Sequence, residues 1–515
     1  MKMNLDEDAR DIPGRELRST PQWEGGRNSS ADFRTGKPLA RPDIPGTLGT
    51  HADSKTCDTA DSKVCATKPA HGLRITPHAL RLTRRSFIQS VLTAAVAPCF
   101  IPASALGRGG RLSPGNRVVI GSVGLGFAWN MFLRHKDAQF VAVCDVQKSR
   151  REAAKREVDG YYKNEDCRIF TDFRELLARP DIDGIYVATP DHWHALVTVA
   201  AARAGKHVYC QKPLTRTIAE GQAVVEAVRR HNIVFQHGTQ QRHDPAMLFG
   251  CELVRNGYIG ELKHVKIGSP QGWVCGPQPV EPVPDGLDWD RWLGPAPWAP
   301  FTSRRIRSHD WYFISDYCLG YIAGWGVHHA DSAQQASGLD EPTSLIEVDA
   351  RGEFAPDGLF DNPHRWNMNY RFANGVTWNW TDTPAWEPQK DWNDPVRHRM
   401  GIRLEGTEGW VFIWRGVVDA HPKSLLHTRI GAHDRVRLVR PAGEPIPDFI
   451  ECVRQHRRTC APVEVAHRST TLCNLGAISM LLRRKVVWDP VKNAFVNDTE
   501  ANRLKSRAMR EPWML

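Results

Sequence analysis

From Arg117 onward, short apolar runs recur between longer mixed segments. Arg117–Val123, Gln139–Cys144, Gly184–Ala188, His207–Cys210 and Ile233–Gln236 are too short for helices and lie between turn signals, the pattern of buried strands. A segment ending at Ala204 and another at Thr217–Arg230 read as helices between them. Strands alternating with helices predict a parallel α/β sheet, with ligands gathered at the strand carboxyl ends. The start of the chain differs. It is rich in Pro, Gly, Ser, Thr, Asp and Arg and has almost no periodic apolar pattern. Such a composition cannot bury enough surface to offset its ordering entropy, so residues 1–82 are expected to form a disordered extension.

At Thr83 the character changes again. Thr83-Arg-Arg-Ser-Phe-Ile-Gln89 precedes the apolar run Val91–Ile101 and the small-residue site Ala103-Ser-Ala105. Paired cations, a short apolar core and Ala-x-Ala form the layout of a twin-arginine signal. Residues 83–105 are thus expected to direct export to the periplasm. The run is too short for a permanent membrane anchor, and Pro98 before Cys99 disfavours lipid attachment. An export signal normally opens a chain, so either its leading region is long or translation starts downstream, for instance at Leu80 or Leu82.

Composition narrows the classes. A chain of 515 residues has room for two or three domains, and 41% hydrophobic with 24% charged residues is ordinary for a globular protein. The net charge of +10 arises from 68 Lys and Arg scattered among 58 Asp and Glu without a long basic run, which argues against nucleic acid as a partner. Twelve cysteines make no dense disulfide framework, and no Cys-x-x-Cys or zinc spacing is present, so no metal is expected. Cys144 and Cys210 end buried strands; Cys452 and Cys460 are a possible pair in an oxidising compartment.

The first strand runs directly into Gly124-Leu-Gly126-Phe127-Ala-Trp129. Gly124 suits a tight turn, and Gly126 lets backbone amides approach a pyrophosphate at a helix N-terminus. Trp129 stands where a third glycine is usual. The next strand ends in Asp145, about 20 residues on, where an acid accepts bonds from a ribose diol. Strand, turn, helix, strand and acid in that order point to dinucleotide binding. Asp145 favours NAD, while Lys148, Arg150 and Arg151 keep NADP open. Thr189, Pro190, His192 and His194, in the loop after Ala188, and Gln211 and Lys212, after Cys210, sit at strand carboxyl ends and complete the expected cofactor side.

The ordered motifs resemble those of the Gfo/Idh/MocA oxidoreductase family. They are Gly-x-Gly, Thr189-Pro-Asp-His-Trp-His-Ala195, Lys212-Pro-Leu-Thr215, Gly238-Thr-Gln-Gln-Arg242, Trp292-Leu-Gly-Pro-Ala-Pro297, Gly324-Trp-Gly-Val-His-His329 and Trp488-Asp-Pro490. The match runs from about Arg117 to the C-terminus. The resemblance implies a Rossmann domain over 106–238 and a substrate and oligomerisation domain with an open, mainly antiparallel sheet over 239–446. A helical segment and tail, 447–515, would pack back on the first domain, and a homo-oligomer would form through the open sheet. It implies catalysis by Lys212 and His328, with Gln241, Arg242, Trp325 and His329 on the substrate side. Two family acids are absent: a glutamate falls on Gln211 and an aspartate on Gly324.

Oxidising a secondary alcohol needs a base within reach of the hydroxyl. Lysine serves when burial or nearby positive charge lowers its pKa, and a carboxylate neighbour does the opposite. The absence of both acids is therefore expected to lower the pKa of Lys212 and to give His328 the second proton-handling role. The resemblance implies an NAD-dependent oxidoreductase acting on a carbohydrate or cyclitol. A lyase, hydratase or glycosidase-like enzyme using NAD transiently through a keto-sugar is one alternative, and a catalytically silent sugar-binding relative is another. Trp311, Tyr312, Trp325, Trp378 and Trp380 are candidate ring platforms, although the alternating Trp378 and Trp380 read equally as one face of a strand, and His309, Asp310 and Tyr321 are candidates to replace the missing aspartate, with no spacing argument to choose among them. His328, His329 and Asp331 look superficially like a metal cluster, but adjacent histidines diverge.

Overall fold

Val and Ile on both faces of the first short runs suit strands covered on both sides, and these strands pair in parallel. A computed structural model of the chain describes residues 114–126, 128–340, 344–382, 400–438 and 444–515. Phe127, the extension 1–82 and the signal segment 83–105 lie outside the described residues. The first sheet contains β1 (Val118–Val123), β2 (Ala138–Cys144), β3 (Arg168–Phe170), β4 (Gly184–Val187), β5 (His207–Cys210) and β6 (Phe235–His237). Their spatial order β3-β2-β1-β4-β5-β6 reverses direction between β1 and β4, which opens a crevice at the carboxyl ends.

The sequence predicts a helix after Gly126, and here the structure differs. Residues 128–134 run as successive turns, with Met131 N–H donating to Ala128 O and Leu133 N–H to Asn130 O. Trp129 is the physical reason we assign: the missing glycine would have allowed close packing of a helix on the sheet. The indole instead packs edge-on against Phe140 at 5.9 Å. The helix Ile218–Arg230 forms as expected, its N-terminus closed by a reciprocal capping box between Thr217 and Glu220.

The second sheet contains β7 (Leu262–Gly268), β8 (Ile346–Glu353), β9 (Arg365–Phe372), β10 (Thr377–Thr381), β11 (Gly401–Gly406), β12 (Trp410–Trp414), β13 (Val417–His421), β14 (Val486–Asp489) and β15 (Ala494–Phe495). Its order is β13-β12-β11-β7-β10-β9-β8-β14-β15, with β7 and β10 parallel and every other pair antiparallel. Period-two burial along β9 turns Trp366, Met368, Tyr370 and Phe372 inward and Asn367 and Asn369 outward. Trp378 and Trp380 share that inward face and are fully buried, so they are core residues and not ring platforms. Burying Met368 and Phe372 on the same face contributes about 1.5–3 kcal/mol each.

Two late helices follow, Pro445–Gln455 and Val463–Leu482. The first sets Ile446, Phe449 and Ile450 into the core beside β1, Tyr186 and Tyr209. The second runs along both the helix Ile218–Arg230 and β8, and so ties the two sheets together. Among the described residues, no helix is long and apolar enough to cross a membrane.

Candidate functional site

A cleft of about 370 Å³ opens at the carboxyl ends of the first sheet. Gly124 takes φ +83°, and a Cβ there would stand 2.5 Å from Thr189 N; at Gly126 it would stand 2.9 Å from Ala188 O. Only glycine lets this loop lie against the end of β4 and present its backbone to the cleft. Asp145 accepts hydrogen bonds from Leu125 N–H and Gln147 N–H, both at 2.9 Å, so it holds the glycine loop while lining the cleft. Burial raises the pKa of its carboxyl. The buried Thr189 hydroxyl lacks a hydrogen-bond partner and also lines the cleft. Cradle, acid and orphan hydroxyl fit a dinucleotide.

An aromatic wall completes the cleft. Trp193 meets Phe173 at 5.8 Å and Trp513 at 4.8 Å. Trp513 comes from the end of the chain, which Arg510 anchors by donating to Gly294 O at 3.0 Å. No local pattern marks Trp513 as a cleft residue.

Lys212 also lines the cleft, next to a cis Lys212–Pro213 peptide. Its Nζ donates to Gly324 O at 2.6 Å and lies 3.5 Å from Tyr312 Oη. The ring of Tyr312 fills the space at Gly324: a Cβ there would stand 2.7 Å from two ring carbons. A hydroxyl and a carbonyl thus flank the amine on the side of Gly324. The residue expected as a ring platform supplies the group sought among His309, Asp310 and Tyr321. Asp310 is taken by Arg304, Tyr321 packs edge-on against Phe313, and His309 lines the cleft. Gln211 turns aside, its Nε2 donating to Tyr186 Oη at 2.7 Å.

Sequence reasoning passed over Asp191, inside its own Thr-Pro-Asp motif. Asp191 begins the helix Asp191–Arg203, is 2% exposed, and lines the cleft. Its Oδ2 has no hydrogen-bond partner. Burial pushes its carboxyl up to about 7, against the pull of the Cys318 thiol and the Lys212 and Arg216 cations. A protonatable carboxyl therefore sits in the field of Lys212.

His328 is buried, and its pKa falls well below the usual value through burial and then the charges of Arg415 and Lys212. Its Nδ1 lacks a hydrogen-bond partner. His237, at the end of β6, has both ring nitrogens unpartnered and is held neutral by burial, its pKa down to about 3. His194 and Lys212 add to that depression, so His237 belongs to the same neighbourhood. Sequence reasoning missed it, because an apolar strand end gives no sign of its surroundings.

Other expected site residues stand behind the cleft. His192 and His194 are absent from its lining. His192 lies 3.1 Å from Trp292 O, while His194 spans Pro213 O at 2.7 Å and Thr189 O at 2.9 Å. The latter staples the Lys212 loop to the Thr189 loop. Arg242 donates to the buried Asp331 and to the partly exposed Asp340, and Gln241 accepts from Ser332 Oγ at 2.9 Å. These bonds correct the expectation for Arg242, whose guanidinium is consumed by the fold. His329 stacks on Trp414 at 5.2 Å and accepts from Trp325 Nε1 at 3.2 Å. Asp331 is turned to Arg242 and Ser469, away from any cluster with the two histidines.

Comparison with known proteins identifies both domains of the chain. A family model described as the Gfo/Idh/MocA oxidoreductase family's NAD-binding Rossmann fold matches residues 116–239. Its C-terminal alpha/beta domain model matches 262–378 and 431–515. Levoglucosan dehydrogenase of Pseudarthrobacter phenanthrenivorans is 37% identical over 107 residues, 21% of this chain and 27% of that one. Myo-inositol 2-dehydrogenase of Thermotoga maritima is 28% identical over 181 residues, 34% of this chain and 49% of that one. These matches span about a quarter to a half of the relatives' length. A solved levoglucosan dehydrogenase, in complex with NADH and L-sorbose, shares the fold with a TM-score of 0.50 and 21% identity, covering 72% of this chain and 99% of that one.

Proposed function

The chain belongs to the Gfo/Idh/MocA oxidoreductase family through both its NAD-binding and its C-terminal domain, and from that premise we propose that it oxidises a secondary hydroxyl of a sugar, glycoside or cyclitol. The observation that carries this reading is Lys212 Nζ, held between Gly324 O and Tyr312 Oη in the same cleft as the glycine cradle. Named relatives act on levoglucosan and myo-inositol, which are polyhydroxylated rings.

NAD supplies the hydride acceptor when bound. Gly124, Gly126 and Asp145 would hold it, and the Asp145 carboxylate disfavours a 2′-phosphate. When deprotonated, the amine of Lys212 takes the hydroxyl proton at Nζ, and Gly324 O accepts a hydrogen bond from the ammonium that forms. Tyr312 Oη orients the amine from the position of the missing aspartate side chain. His328, neutral through burial, offers its unpartnered Nδ1 to a substrate hydroxyl. The test is reduction of NAD, followed by absorbance, across a panel of anhydrosugars, aldoses and inositols, with mass spectrometry of the denatured protein for retained nucleotide. Neither retained nucleotide nor NAD reduction with any of them would defeat the reading.

One observation favours transient redox as a second reading. An acid near neutrality, Asp191, shares the cleft with a base, Lys212, and elimination beside a keto group needs both. Turnover of a glycoside without net NADH formation selects that reading. The filled space at Gly324 weighs against a silent binding relative. Export through the segment 83–105 belongs to the same proposal; cell fractionation with Arg84 and Arg85 replaced by lysine tests it. Association through the outward face of the second sheet is proposed as well, and light scattering gives the mass.

A further inference from the structure

Away from the cleft, three side chains from separate parts of the chain converge on one point. His243 ends the short 3₁₀ helix Gln240–His243 after β6, Asp448 lies in the first turn of the helix Pro445–Gln455, and Cys460 lies in the loop before the helix Val463–Leu482. Their ligand atoms all fall within 4.8 Å of one another. His243 Nε2 stands 3.4 Å from Asp448 Oδ2 and 3.4 Å from Cys460 Sγ, with Sγ 3.7 Å from Nδ1. Bonds of about 2.0–2.3 Å to a tetrahedral ion put neighbouring N, O and S ligands roughly 3.3–3.7 Å apart. The two nearest pairs already have that separation.

From this geometry we propose that His243, Asp448 and Cys460 bind a divalent zinc ion, with water as the fourth ligand. Thiolate, imidazole and carboxylate together suit a borderline-soft cation and disfavour calcium or magnesium. Charge balances on binding: the Cys460 proton leaves to solvent, and thiolate and carboxylate neutralise the dication. Arg457 donates to Asp448 Oδ1 at 3.0 Å, which fixes the carboxylate with Oδ2 turned to His243. Arg457 is thus a positioning residue of the kind that surrounds metal ligands. Cys452 Sγ lies 3.6 Å from Asp448 Oδ1, a further contact that orients the same carboxylate. The ion would pin the two late helices to the end of the first domain, a clamp independent of the proposed oxidoreduction. Sequence spacing gives no hint of it, since the ligands lie at positions 243, 448 and 460.

The test uses the full chain, purified without chelator or histidine tag. Elemental analysis should find one zinc ion per chain, absent in Cys460→Ser and in His243→Ala. Cobalt added after zinc removal should give a near-ultraviolet thiolate-to-metal band. Arg457→Gln keeps all three ligands and should weaken zinc affinity by roughly 10- to 100-fold. Should the ligand variants fail to fold, protection of wild-type Cys460 from alkylation by zinc, reversed by chelator, supports the site. Wild-type protein that holds no zinc and gains neither the cobalt band nor protection overturns it, as does zinc retained by folded Cys460→Ser.

Discussion

Replacing Asp191 by Asn tests the electrostatics of the cleft without changing its shape. The carboxyl is raised from 3.8 to about 7, burial being the largest cause. The folded-state pKa therefore exceeds that of the unfolded chain. Between those two values the folded protein keeps a proton that the unfolded chain has released, so this group makes stability fall as pH rises from about 4 to about 7, then level off. The full difference amounts to roughly 4 kcal/mol, and the part between about pH 5 and pH 8.5 to roughly 2–3 kcal/mol. Asn is isosteric with the protonated acid and carries no charge at either pH. Urea unfolding of both proteins, without nucleotide, at those two pH values should show the variant gaining about that much relative to wild type at the higher pH. A difference that stays constant with pH would refute the claim that Asp191 is a neutral acid at pH 5 inside the fold. If Asp191 also takes part in proton transfer, the variant should lose a limb near pH 7 in the profile of kcat/KM.

Lys212→Met should lower kcat by about 10²–10⁴-fold while leaving nucleotide binding, read by fluorescence titration, nearly unchanged. In Tyr312→Phe the ring still fills the space at Gly324, so the fold should persist and kcat should fall by roughly 10-fold or more with KM little altered. Arg242→Leu leaves Asp331 buried without its main partner and should cost about 3–5 kcal/mol by thermal or urea unfolding. Trp513→Ala opens the aromatic wall and should raise the dissociation constant for NAD with little effect on unfolding.

The first sheet was legible, apart from the short, exposed β3, because its other strands carry a local signature. Apolar runs of four to seven residues have no helical reading, and their alternation with helices prescribes parallel order and a crevice at the carboxyl ends. Gly124, Gly126, Asp145, Gln211 and Lys212 sit at those ends in chain order, so sequence alone put them in one cleft. Sequence also exposed the two missing acids, since absence at a motif position is a local fact. Other features needed the folded chain. Period-two alternation in Trp378 and Trp380 marks one face of a strand, but only the packed helices make that face the core. Tyr312 stands 100 positions from Lys212, Trp513 arrives from the far end of the chain, and the neutrality of Asp191 and His237 comes from what surrounds them. Backbone periodicity reports which way a side chain points, and says nothing about which distant side chain it meets. Those meetings depend on how the sheets and the late helices close on each other, and only the tertiary structure decides that.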